Sequence, residues 1–246
     1  MKQIILLLAI AFLNCACSFD GSFDSSETGT GGSMARFAIV NNYLYTVDHH
    51  NLHTFEITEM MSFQNLRYLN KTNAGFGIET IYPYRNILFL GAQNGMHIYD
   101  LVNPGQPNKA SFTPHFMSND PVVVNDNYAY VTLRSESLWW MRVNMLQIYD
   151  ISDLKNPILM KEYNMDNPKG LGIDGNLLFI CDNKLKVFKL NTPLEIEKIA
   201  EFNIPAIDVI PKGNHLYVVA SDGFYQYRYA DESITLLSKI ALTYGN

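Results

Sequence analysis

The chain predicts an all-β fold, a β-propeller of five four-stranded blades, and three observations carry the prediction. An aromatic residue near the end of a short β-like run recurs at Tyr45, Phe89, Tyr130, Phe179 and Tyr217. A second aromatic follows each one, at Phe55, Tyr99, Tyr149, Phe188 and Tyr227. Between these landmarks the chain alternates apolar and polar residues and breaks at Asn, Asp and Gly, the pattern of half-buried strands joined by tight turns. A period of about 40 residues built this way is that of a propeller blade. Five units can be counted, and a degenerate sixth is left open.

Taken in order, unit one runs Phe37–Val40, a turn at Asn41-Asn42, Tyr43–Val47, Leu52–Ile57 and Gln64–Leu69. Unit two has Glu79–Pro83, Ile87–Gly91, an Asn94-Gly95 hairpin, Met96–Leu101 and Asn108–Thr113; Asn-Gly is the strongest short hairpin signal. Unit three has Val122–Val124, Asn125-Asp126-Asn127, Tyr128–Thr132, Met145–Ile151 and Ile158–Tyr163. Unit four has Leu171–Ile173, Asp174-Gly175-Asn176, Leu177–Cys181, Leu185–Leu190 and Glu197–Phe202. Unit five has Ile207–Ile210, Lys212-Gly213-Asn214, His215–Ala220, Phe224–Tyr229 and Ile234–Leu242. A lone unit cannot cover both faces of its sheet, so neighbours must do so, and closure into a ring is expected to cover the two end faces as well.

Two stretches sharpen this. Asn127-Tyr128-Ala129-Tyr130-Val131 followed by Met145–Pro157, and Met96–Val102, resemble the LVIVD repeat, a propeller family of bacterial surface and secreted proteins. Asn41-Asn42-Tyr43 and Gly213–Tyr217 echo the same pattern. Lys189, Arg228 and Glu56 stand where the repeat has an Asp after the second aromatic, which restricts that Asp to capping the following turn. The resemblance implies an envelope protein with a propeller fold.

The N-terminus says where it sits. Lys2 precedes an unbroken apolar run from Ile4 to Leu13, too short for a bilayer span of about 20 residues but suited to a secretory signal. Cysteines follow, and the segment resembles the signal of a bacterial lipoprotein, in which a cysteine is acylated and becomes the mature N-terminus. Cys17, preceded by small Ala16 and Cys15, is the expected site; Cys15 is the alternative, and an ordinary secretory signal that happens to end in cysteines stays open. The division expected is a signal peptide over 1–16, a Gly/Ser-rich tether over 17–35 and the propeller over 36–246. The location expected is the bacterial outer membrane or cell surface, held by lipid because two or more acyl chains anchor stably.

Composition excludes other classes. The chain carries a net charge of −6 with no cationic run, which argues against nucleic acid and against a polybasic hold on anionic lipid. Beyond the signal region Cys181 is alone, so no disulfide within the propeller is possible, and it reads as a half-buried core thiol.

One irregularity stands out. The two aromatics are 10, 10, 9 and 10 residues apart in units one, two, four and five, and 19 apart in unit three. The extra residues lie in 132–144, which holds both tryptophans, Trp139 and Trp140, flanked by Arg134 and Arg142. Hairpins between second and third strands share a propeller face with the connections between blades. The candidate binding face therefore joins these four residues to His49, His50 and Asn94, with Asp120 and Asp222. Trp and Arg are enriched in binding hot spots, and tryptophan stacks on sugar rings; the plain alternative is a long hairpin whose indoles fold back as local core.

His49, His50 and His53 lie at a hairpin where spacing does not aim three ligands at one point, so no metal is expected. No G-x-x-x-x-G-K-[ST], H-E-x-x-H or G-x-S-x-G occurs, and no catalytic residue or cofactor is assigned. The function expected is a non-catalytic, membrane-anchored binding or scaffold module with a protein partner. A surface carbohydrate-binding lipoprotein is the alternative, and an envelope hydrolase or lyase the third reading.

Overall fold

The computed structural model describes residues 31–58, 65–115, 121–135, 143–230 and 232–242. Twenty strands form five four-stranded antiparallel sheets, each built from consecutive strands, so the described residues hold five blades and no sixth. Blade 1 is β1 (Phe37–Val40), β2 (Tyr43–Val47), β3 (Asn51–Ile57) and β4 (Leu66–Asn73); blade 2 is β5 (Ile78–Tyr84), β6 (Ile87–Ala92), β7 (Gly95–Asp100) and β8 (Asn108–Pro114). Blade 3 is β9 (Val122–Asn125), β10 (Tyr128–Arg134), β11 (Asn144–Asp150) and β12 (Ile158–Asn164). Blade 4 is β13 (Leu171–Asp174), β14 (Leu177–Cys181), β15 (Leu185–Thr192) and β16 (Glu195–Phe202). Blade 5 is β17 (Ala206–Lys212), β18 (His215–Ala220), β19 (Gly223–Ala230) and β20 (Ser233–Ala241).

Local chemistry sets the turns. The link between first and second strand puts Asn41, Arg85, Asp126, Gly175, and both Gly213 and Asn214 at positive φ, which suits Gly, Asn and Asp and matches the twist of the flanking strands. The second aromatics mark another regularity. In every blade the register between third and fourth strands slips just before that residue, at Thr54/Phe55, Ile98/Tyr99, Ile148/Tyr149, Val187/Phe188 and Gln226/Tyr227. A bulge there increases the twist of the outer pair.

Packing gives the recurrent aromatics their meaning. Each first aromatic faces the following blade and each second aromatic faces the preceding one. Tyr45 and Tyr99 share one core cluster, Phe89 and Tyr149 a second, Tyr130 and Phe188 a third, and Phe179 and Tyr227 a fourth. These four clusters are the four junctions between consecutive blades. Burying such rings contributes about 2 kcal/mol apiece.

The fifth pair, Tyr217 and Phe55, belongs to no cluster, and both residues stay half-buried. The expectation that a ring covers every sheet on both faces therefore holds at four junctions and stops at a seam between blade 5 and blade 1. On β18 the alternation shows it: Val218 is 0% exposed against blade 4, while its neighbour Val219 is 43% exposed on the seam. Phe37, Phe224 and Ile240 are exposed there too.

The link across the inner end of the seam is the segment Gly31–Ala35. The expected tether over 17–35 thus gives its last five residues to the domain: Gly32 and Ser33 are buried among the inner strands. At Gly32 an added side-chain carbon would lie 2.1 Å from an Asp208 carboxylate oxygen, so only glycine fits.

Candidate functional site

Hairpins and blade connections do meet on one rim, tied by backbone hydrogen bonds. Ala74 and Gly75 donate to the His50 carbonyl oxygen at 2.8 and 3.2 Å, and Ile78 donates to that of His49 at 3.0 Å. Gln93 donates to Gly77 O at 2.9 Å, His115 to Asn94 O at 3.3 Å, Lys169 to Cys181 O at 2.7 Å and Ser221 to Pro205 O at 3.1 Å. Each hairpin is thereby fastened to the connection beside it, so the rim is a rigid platform.

His49 and His50 serve this platform through their backbone, and the His50 ring meets exposed Phe76 edge-on at 5.7 Å. Asp48 shapes the hairpin: its carboxylate accepts from His50 N–H and Asn51 N–H, both at 2.7 Å, and pairs with His53 Nε2 at 2.9 Å. These bonds, that of His53 first, hold the Asp48 carboxyl well below its ordinary range. The histidines form no ligand set; among the described residues no group of three or more His, Cys, Asp or Glu could hold a metal ion.

Asn94 sits on the rim with its Oδ1 buried and without a partner among the described residues. Asp222 accepts the Tyr225 hydroxyl at 2.6 Å and Lys239 Nζ at 2.9 Å, which keep its carboxyl ionised to lower pH than usual. Arg134 ends β10 opposite Asn144, at the base of the insertion. Trp139, Trp140, Arg142 and Asp120 lie outside the described residues, as do Cys15 and Cys17.

The base of the insertion is clamped. Ser135 N–H donates to Val143 O at 3.0 Å, and Val143 N–H donates to Ser135 Oγ at 2.9 Å. Asn144 Nδ2 then donates to Asp166 O at 2.5 Å, fastening the same base to the next connection.

Two features escaped sequence reasoning. His97 on β7 is 3% exposed and stacked on Phe112 at 4.4 Å, and neither ring nitrogen has a hydrogen-bond partner among the described residues. Burial, helped by Lys109 and His115, lowers its pKa to about 4, so the ring is neutral near pH 7. The second is an axial group. Asp208 on β17 accepts Ser33 Oγ–H at 3.1 Å, and burial pushes its pKa up to about 6. A signal for Asp208 was present, since it is the one charge in the apolar run Ala206–Pro211. Below Gly31–Ser33 lies a cavity of about 80 Å³, walled by Tyr82, Val123, Gly172 and Pro211 from four inner strands. That space suits a few waters rather than a metabolite. Cys181, expected half-buried, is fully buried, and desolvation raises its thiol pKa well above the ordinary value. No helix among the described residues is long and apolar enough to cross a membrane.

Comparisons with known proteins agree with this architecture. No curated protein matches the sequence. Among solved structures, a functionally unknown protein from Desulfotomaculum acetoxidans matches with a TM-score of 0.64 at 11% identity, over 88% of this chain and 70% of that one. A protein from Bacteroides uniformis named as a 6-phosphogluconolactonase matches with a TM-score of 0.63 at 14% identity, over 81% and 67%. BamB from Moraxella catarrhalis matches with a TM-score of 0.51 at 12% identity, over 82% and 59%. The chain spans about 60% of the length of a designed protein, Ika8, that it also matches. At these identities the likeness is one of fold. The LVIVD repeat family model matches residues 118–165, which coincide with blade 3 and the connection into it. The repeat match thus falls on the described strands β9 to β12, the third blade of an all-β, five-bladed propeller.

Proposed function

We propose that the protein is a membrane-anchored, non-catalytic binding module that presents its hairpin rim to a protein partner. The clamp between Ser135 and Val143 carries this reading. It ties Ser135 to Val143, the described residues on either side of the enlarged hairpin, and the sequence between them holds Trp139, Trp140 and Arg142. Trp and Arg are among the residue types most enriched in binding hot spots. Lipid on Cys17, with Cys15 as the alternative, would hold the module at the bacterial outer membrane or cell surface.

Crosslinking in intact cells tests the site. Wild type should capture a partner that the Trp139→Ala/Trp140→Ala variant loses; an unchanged set of partners contradicts the reading. For the anchor, Cys17→Ser should release the protein from membranes and abolish incorporation of labelled palmitate, and retention of both contradicts it.

Carbohydrate capture is the second reading, favoured by the adjacent indoles, which can stack on a sugar ring. Binding on a glycan array that disappears with the same double variant would replace the protein partner. An envelope hydrolase or lyase would need an acid–base pair at the channel. The carboxylate there, Asp208, is already engaged by Ser33 and Met34, which argues for a structural use.

A further inference from the structure

Residues 31–36 touch four of the five blades. Ser33 Oγ donates to Asp208 of blade 5 at 3.1 Å and accepts from Leu171 N–H of blade 4 at 2.8 Å. Met34 N–H donates to the other Asp208 oxygen at 3.4 Å. Ala35 O accepts Ile81 N–H of blade 2 at 2.8 Å, and Arg36 O accepts Val47 N–H of blade 1 at 2.9 Å. The socket is shaped to the carboxylate. A side-chain carbon placed on Gly32 would lie 2.1 Å from Asp208 Oδ2, and one on Gly170 would lie 2.2 Å from Oδ1. Ser33 is 1% exposed.

This segment therefore spans the seam that no core cluster closes, and it caps the axial cavity. We propose that Gly31–Met34 is a clasp joining blade 5 to blade 1, that Asp208 is its catch, and that acid fastens it while neutral pH loosens it. The direction follows from burial. Inside the socket the carboxyl keeps its proton up to about pH 6, whereas a solvated one releases it near 3.8. Fastening takes up a proton between those values, so lower pH favours the fastened state. A neutral carboxyl accepts one of these donors at its carbonyl oxygen and the other, more weakly, at its hydroxyl oxygen; the donors by themselves pull the pKa down, and burial outweighs them.

The charged and titratable neighbours do not reverse this. Cys181 of β14 faces Asp208 and stays a neutral thiol, Lys169 leads into β13 beside Cys181, and the clasp itself carries no charge before Arg36. The two proton affinities make the clasp about tenfold tighter at pH 5 than at pH 7.5.

Amide hydrogen exchange of the full chain, corrected for the intrinsic pH dependence of exchange, reads this directly. Leu171 N–H and the amides of residues 33–36 should be about tenfold better protected at pH 5 than at pH 7.5, with residues 177–181 as an unchanging reference. Asp208→Asn should flatten the dependence, and Ser33→Ala should lower protection at both pH values. Equal wild-type protection at the two pH values overturns the proposal, as does an Asp208→Asn variant that keeps the dependence. Should Asp208→Asn fail to fold, the wild-type comparison with Cys181→Ser decides: the dependence must survive loss of the thiol, and its disappearance would reassign it to Cys181.

Discussion

Tyr130 donates its hydroxyl to the carbonyl oxygen of Pro193 at 3.0 Å, reaching from the second strand of blade 3 to the turn between the third and fourth strands of blade 4. Tyr45 does the same two junctions earlier, meeting Pro104 O of blade 2 at 2.9 Å. Where the first aromatic is a tyrosine with a packed blade beside it, it is thus both core and staple; Phe89 and Phe179 serve as core alone. Tyr217 holds that position in blade 5, where the next face is the seam, and it makes no hydrogen bond among the described residues.

Removing the staple should therefore cost stability only where a next blade is present. Tyr130→Phe and Tyr45→Phe should each lose about 1 kcal/mol in denaturant titrations, the net value of one such bond. Tyr217→Phe should leave the midpoint unchanged. Equal losses at all three positions would mean that the seam is stapled as the other junctions are.

Two buried groups should pull the pH dependence of stability in opposite directions. His97 has a folded pKa lowered to about 4, so the unfolded chain binds its proton first, and stability falls as pH drops from about 6.5 toward 4. Asp208 has a folded pKa raised to about 6, so the folded chain holds its proton longer, and stability falls as pH rises from about 4 to 6. His97→Phe should remove the acid-side loss, and Asp208→Asn should remove the loss on rising pH. Thermal melts of both variants from pH 4 to 7.5 check the signs; slopes that shift in the same direction for both would contradict the assignment.

Cys181 lies at 0% exposure with its thiol pKa raised, both of which suppress the reactive thiolate. Native protein truncated to begin after Cys17 should not react with a thiol reagent over minutes at pH 8, and denaturant should expose one equivalent. Fast native labelling would show that β14 opens locally.

Close backbone approach predicts which glycines matter. Gly170→Ala drives a methyl into Asp208, including its backbone Cα at 2.9 Å, and should cost at least about 2 kcal/mol. Gly175→Ala meets nothing within 4 Å and faces only its φ of 55°, so it should cost about 1 kcal/mol. Comparable melts for the two variants would contradict the socket at Asp208.

Much of this architecture was legible because aromatics at fixed positions report blade junctions whatever their other contacts. Fourth strands were read short: Gln64–Leu69 was expected where the strand is Leu66–Asn73. The outer edge of a blade is solvated, so Lys71-Thr72-Asn73 carries no apolar alternation although its backbone stays paired. Nothing in the sequence marked the seam, since Tyr217 and Phe55 obey the same spacing as pairs that do meet. The clasp was read as tether for a related reason. Gly-Gly-Ser has the composition of a linker, and here its small size is what lets it enter the socket. Among the described residues, hairpins and connections meet on the rim because strand order alone dictates which ends share a face.

The central claim is four packed junctions and one open seam, and the neighbours Val218 and Val219 test it most directly. They share one strand and one chemistry and point to opposite faces. In urea titrations Val218→Ala should lose about 2 kcal/mol from the blade 4–blade 5 core, while Val219→Ala should stay within about 0.5 kcal/mol of wild type. Matching losses at both positions would show a fifth packed junction and contradict the open seam.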